Sequence, residues 1–195
     1  MHMEDITKNE IHFLLKLFKS PEKEYNARNI SLELGLSHTG TLKIAKRLEK
    51  QEIIVSKKVG NAILYNINKD NVHAKKYILF LLQREASTTH PYIKRWITEL
   101  QKVSEADVII LFGSVLRKKE KARDIDALFI TDNKRIRKLE REIEGINLIN
   151  IKRIHPVFQS DEDFKRNIAK GDKVVLGAVK GIVVKGASDL WRLMQ

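Results

Sequence analysis

VIILFGSVLRKKEKARDIDALFI, residues 108–130, joins two apolar runs through a basic connector. The first run, Val108 to Phe112, has the length and β-branched content of a buried strand. It breaks at Gly113-Ser114. Arg117, Lys118, Lys119 and Lys121 follow, then Asp124-Ile125-Asp126 leads into Ala127-Leu128-Phe129-Ile130. Side chains alternate along a strand, so Asp124 and Asp126 share one face while Ile125 points to the core. Two adjacent carboxylates repel, and a divalent cation removes that repulsion. Hard oxygen ligands suit Mg²⁺. A Gly-Ser turn after a strand offers amides and a hydroxyl to phosphate oxygens. The parts therefore read as a phosphoryl-transfer site, with a phosphate cradle, a carboxylate pair for metal and positive charge between them. The plainer alternative is a hairpin-like unit with a glycine turn and two surface aspartates.

These residues, Gly113, Ser114, Arg117, Asp124 and Asp126, resemble the pattern of minimal nucleotidyltransferases over roughly the last half of the chain. The resemblance implies that Asp124 and Asp126 are metal ligands and catalytic, and that Gly113, Ser114, Arg117 and Lys118 bind nucleotide. It implies Mg²⁺ and a nucleoside triphosphate as cofactors. It also implies a third carboxylate on the following strand. That strand is read as NLINIKRIHPVF, residues 147–158, and contains no Asp or Glu. Its Asn150 is a weak metal ligand but no base. Its Lys152-Arg153 pair could stand where a metal charge would, and His155 could take a proton or be structural. Turnover is therefore expected to be slow or absent.

Upstream, Ile11, Leu14, Leu15 and Phe18 have helical spacing, and Ser20-Pro21 closes that helix. Ala27 to Leu34 is a second helix ending at Gly35. Ser37 caps a third, His38 to Gln51, whose inner face is read as Leu42, Ala45 and Leu48. Ile53 to Val55 and Ala62 to Ile67 are strands of a basic hairpin turning at Gly60-Asn61. This order resembles the winged helix-turn-helix domains of prokaryotic and archaeal transcription regulators, over the first third of the chain. From His38 to Lys69 there are seven Lys/Arg against two Glu. The resemblance implies double-stranded DNA as partner, met by Ser37, His38, Thr39, Thr41, Lys43, Lys46, Arg47, Lys57, Lys58 and Asn61. A winged helix used for protein contact is the alternative.

Residues 71–88 read as a connecting helix rich in large apolar side chains, Tyr77 to Leu82. It is a candidate for a homodimer interface. Pro91 starts another helix. After Ile130 come a charged helix over 134–144 ended by Gly145, the strand at 147–158, and a helix capped by Ser160. A helical stretch over 172–180, a strand between Gly181 and Gly186, and a last helix complete the chain.

The fold class expected is α+β in two domains: 1–70 a winged helix-turn-helix and 89–195 a nucleotidyltransferase-like mixed sheet flanked by helices, joined by 71–88. The net charge is +12, with 43% hydrophobic and 32% charged residues and no cysteine. Residues 1–70 carry +3, 71–104 carry +4 and 105–195 carry +5, so basic character is spread throughout. Such a balance favours a polyanion as partner. The missing cysteines exclude disulfides and thiolate metal sites. Abundant Lys, Glu and Ile suit a thermophile. The start Met1-His2-Met3-Glu4-Asp5 has no signal-peptide pattern and no run has transmembrane length, which points to the cytoplasm. His2, His12, His38, His73 and His90 have no metal-ligand spacing. The function expected is DNA binding, as a transcriptional regulator carrying a nucleotide-binding domain. An active enzyme moving a nucleoside monophosphate to a protein or small molecule, and an antitoxin-like interaction protein, are the alternatives.

Overall fold

A computed structural model describes residues 6–195, so His2 and the Met1–Asp5 start lie outside the described residues. The chain forms two compact units, the first reaching Leu81 and the second running from Leu82 to Gln195.

The first unit begins with α1 (Lys8–Lys19), whose end is fixed by a reciprocal cap between Thr7 and Glu10. A two-residue strand, β1 (Tyr25–Asn26), leads into α2 (Ala27–Leu34). Asn26 caps α2 at its start, and Gly35 closes it with φ of 64°, a left-handed conformation that glycine takes without strain. Ser37 accepts the Gly40 N–H at 3.0 Å and starts α3 (His38–Lys50). The hairpin follows as β2 (Ile54–Val59) and β3 (Ala62–Ile67). Strand order is β1-β3-β2, all antiparallel. Phe13, Leu14, Tyr25, Ile30, Ala45, Leu48, Ile53 and Ile54 fill the core. The inner face of α3 is Thr41, Ala45 and Leu48; the i, i+4, i+7 spacing selects Thr41 and turns Leu42 outward at 40% exposure. Leu42 is thus not a core residue.

α4 (Val72–Thr88) contains the division between the units. Its Ile78, Leu81 and Leu82 are buried within the chain, while Val72 and Phe80 remain exposed.

In the second unit His90 caps α5 (Pro91–Gln101), with Pro91 at its first position. Next come β4 (Val108–Phe112), the single turn α6 (Val115–Lys118), a 3₁₀ turn at Lys119–Lys121 and β5 (Ile125–Ile130). Then follow α7 (Ile136–Ile149), β6 (Ile154–Gln159), α8 (Asp161–Lys170), α9 (Lys173–Val179), β7 (Ile182–Lys185) and α10 (Ala187–Leu193). The sheet order is β6-β5-β4-β7. β4 is antiparallel to β5 and β7, and β5 is parallel to β6. Ile109, Leu111, Ile125, Ala127 and Phe129 pack with Ile93, Trp96, Ile97 and Leu100 of α5 and Leu139, Ile143 and Ile146 of α7. Alternate residues of the same strands, Val108, Ile110, Leu128 and Ile130, are also fully buried. The near-continuous apolar runs of β4 and β5 follow from burial on both faces.

Two strands differ in their bounds from the sequence reading: β2 runs on to Val59, past the expected Val55, and β6 starts later than expected. The helix before β6 does not end at Gly145 but continues to Ile149, and β6 starts only at Ile154. Leu148, Ile149 and Ile151, read as strand residues, lie in the helix end and the bend after it, strongly exposed. Among the described residues no helix is long and apolar enough to cross a membrane.

Candidate functional site

The carboxylates converge at the end of β4 and the start of β5. Asp124 immediately precedes β5, and Asp126 lies in register with Phe112 of β4 on one side and His155 of β6 on the other. Residues paired in register point to the same face, so the parallel β5–β6 pairing carries His155 to the aspartates. Its Nδ1 lies 3.4 Å from Asp124 Oδ2. One ligand atom from each of Asp124, Asp126 and His155 lies within 4.8 Å of the others. His155 is therefore a third member of the cluster, which residue spacing along the chain did not give. The signal lies in the register: once β6 begins at Ile154, position 155 is the one facing Asp126.

Gly113 has φ of 80°, and a Cβ there would collide with the Asp126 carboxylate. The turn is thus built to let Asp126 lie against the backbone. The Ser114 amide lies close enough to the Asp126 carboxylate to favour its charged form. Burial pushes the Asp126 carboxyl above its ordinary range, and the Asp124 charge adds to this; His155 and the Ser114 amide oppose it. The Ser114 side chain makes no cap bond to α6, and Arg117 and Lys118 are exposed on that turn.

Two other residues of the 147–158 stretch have different work. Lys152 donates to the carbonyls of Glu120 and Ala122 and lies 5.7 Å from the Tyr92 ring centroid. It anchors the connector before Asp124 and does not stand in for a metal. Asn150 is not on the strand: it caps α7, accepts from Arg95 at 3.1 Å and donates to Ile146 O at 2.9 Å. It is not a metal ligand. Two carboxylates fit a hard cation such as Mg²⁺; the third donor is a nitrogen.

In the first unit, His38, Thr39, Lys43 and Lys46 on α3 and Lys57, Lys58 and Asn61 on the hairpin are exposed. Three of the expected DNA contacts are otherwise engaged. Thr41 is fully buried and its hydroxyl donates to Ser37 O at 3.0 Å. Arg47 forms an ion pair with the buried Glu10 of α1. The Ser37 hydroxyl is the α3 cap. Arg28, which the sequence reading did not name, and Leu42, which it placed on the inner face of α3, line a groove with His38, Val59, Asn61 and Ile63.

Solved structures similar to the chain include Lactococcus lactis ZitR, wild type in complex with DNA: 18% identity, 51% of this chain and 73% of that one, TM-score 0.31. Another is a zinc-responsive MarR family member, again Lactococcus lactis ZitR, with 19% identity over 52% and 75% of the two chains and TM-score 0.29. A third is the zinc-dependent MarR family transcriptional regulator AdcR in the Zn(II)-bound state, with 18% identity over 52% and 77% and TM-score 0.27. These likenesses are too loose to carry an argument about this chain. No curated protein matches it. The segment that holds the carboxylates, residues 94–179, matches the family described as Polymerase beta, Nucleotidyltransferase.

Proposed function

We propose that this protein is a DNA-binding regulator of transcription whose second unit binds a nucleoside triphosphate together with a divalent cation. The observation that carries the nucleotide part is the convergence of Asp124 and Asp126 on the Gly113-Ser114 turn, within the matched segment. Asp124 and Asp126 would hold Mg²⁺, which when bound would neutralise the carboxylate pair and the triphosphate charge. Ser114, Arg117 and Lys118 would meet phosphate oxygens. The DNA part rests on the exposed bases of α3 and the hairpin, Lys43, Lys46, Lys57 and Lys58. A homodimer would match two-fold half-sites, with Phe80 and Val72 of α4 as its exposed apolar contacts.

Calorimetry with Mg·ATP and other triphosphates tests the nucleotide site. Binding that disappears in the double variant Asp124→Asn, Asp126→Asn is the expected result; no binding at millimolar concentrations refutes it. Duplex binding should weaken steeply with salt, and replacing Lys57 and Lys58 by Ala should lower the salt slope by about 2. Failure to bind genomic fragments at low salt removes the regulator reading.

A second reading, an active nucleotidyltransferase, is favoured by one observation. His155 occupies a place beside Asp124 and Asp126 on the strand where the family resemblance puts a third carboxylate. Neutral imidazole can take a proton from a nucleophile. Pyrophosphate release that depends on both Asp124 and His155 would establish this reading over the first.

A further inference from the structure

We infer that Asp124, Asp126 and His155 form a mixed oxygen–nitrogen site that takes a divalent transition metal of the Co²⁺ and Zn²⁺ class in preference to Mg²⁺. The inference rests on the proposed cation site and names its selectivity. Mg²⁺ favours oxygen donors and keeps much of its water, whereas imidazole nitrogen binds the later first-row metals more strongly. A third carboxylate here would keep the site hard. His155 makes it borderline.

The geometry suits shared ligation. Ligands about 2.1 Å from one ion lie roughly 3–4 Å from each other. His155 Nδ1 and Asp124 Oδ2 are already 3.4 Å apart, and all three donors lie within 4.8 Å. Closing the widest pair takes about 1 Å, a small side-chain rotation for groups that are only partly buried. The two aspartates bring negative charge that an ion would balance. Lys152, in the bend before that strand, is held by the Glu120 and Ala122 carbonyls instead. The structural alternative is an ion pair between Asp124 and protonated His155 with no metal function.

The test uses the full chain without nucleotide. Co²⁺ is titrated by its visible absorbance, and Mg²⁺ is then added as competitor. The wild type is expected to favour Co²⁺ by about tenfold or more, and His155→Ala to lose at least about tenfold in Co²⁺ affinity with a changed spectrum. Its Mg²⁺ affinity should stay within about twofold, since Mg²⁺ relies on the carboxylates. His155→Asp should bind Mg²⁺ more tightly and lose the Co²⁺ preference. Equal Co²⁺ binding by wild type and His155→Ala, or a preference retained in His155→Asp, overturns the inference. If either occurs while Mg·ATP still binds, the nucleotide reading stands. His155-dependent Co²⁺ binding in a protein that ignores Mg·ATP supports the metal site and sinks the nucleotide reading.

Discussion

In the first unit Lys43, Lys46, Lys57 and Lys58 stand apart in solvent, each on an element whose fold does not need its charge. In the second, Asp124, Asp126 and His155 are drawn within 4.8 Å by the register of three strands. An exposed charge can be exchanged at little structural cost, so its presence says little about geometry. A converging cluster needs a turn, a register and a neighbour without a side chain, and each of these leaves a mark on the backbone. That difference makes the second site the sharper of the two, and it can be tested at its most constrained point. Gly113→Ala places a Cβ in a left-handed residue and against the Asp126 carboxylate. It is expected to cost about 2–3 kcal/mol of stability and to abolish cation binding. Chemical denaturation and calorimetry would check this. A variant as stable as wild type that still binds would show that Asp126 is not held against the turn.

The corresponding probe in the first unit separates two kinds of basic residue on one helix. Arg47 faces the buried Glu10, whose carboxylate also accepts from Thr7 N at 2.9 Å and Thr7 Oγ1 at 2.8 Å. Arg47→Ala leaves that carboxylate with the cap alone and is expected to cost about 2 kcal/mol. Lys43→Ala with Lys46→Ala should leave stability within about 0.5 kcal/mol, yet weaken duplex binding. Thermal unfolding beside a salt-dependent binding series distinguishes the two. Equal stability losses in both variants would mean that α3 does not divide into a structural and a solvent face in this way.

The contrast also explains what could be read from residues alone. Helix ends at Gly35, Ser37, Pro91 and Ser160 were legible because capping is local chemistry, set within a few residues. β4 and β5 were legible because their apolar runs have strand length and are bounded by Gly113 and Asp124. The start of β6 was not. Ile146 to Ile151 is an apolar-polar run that suits the end of a helix as well as a strand, and only packing of Ile143 and Ile146 decides for the helix. The sequence named His155 as a candidate proton acceptor, but its place against Asp126 was not legible, because that alignment exists only across a parallel pairing of distant segments. Thr41 was misplaced for a related reason. With Leu42 beside it, hydrophobicity chose the larger residue, whereas the helix rotation set by Ala45 and Leu48 buries Thr41. The partner of Arg47 lies on another helix 37 positions away, beyond any local pattern.

Two carboxylates shifted in opposite directions give the smallest and most discriminating effect. In the first unit burial pushes the Glu33 carboxyl up, but Lys16 and Lys23 outweigh it and hold the group down at about 2. Lys16 lies 2.6 Å and Lys23 2.8 Å from it, and the Tyr25 hydroxyl donates at 3.2 Å. A carboxyl lowered on folding adds stability above its unfolded value, near 4.5, and loses it as pH falls toward 2. Glu33→Gln should therefore lower stability at pH 7 by about 1 kcal/mol or less, because solvent screens the pair. The difference from wild type should shrink between pH 4.5 and 2. Asp126 has the opposite sign: burial and Asp124 raise it, so its charged form opposes folding at neutral pH. Asp126→Asn is expected to leave the metal-free protein as stable as wild type at pH 7, or more so, while removing cation binding. Melting temperatures measured with a chelator and then with added cation would read both effects. A metal-free protein destabilised by Asp126→Asn and unaffected by Glu33→Gln would reverse the assignment, making Asp126 a structural carboxylate and Glu33 a solvated one.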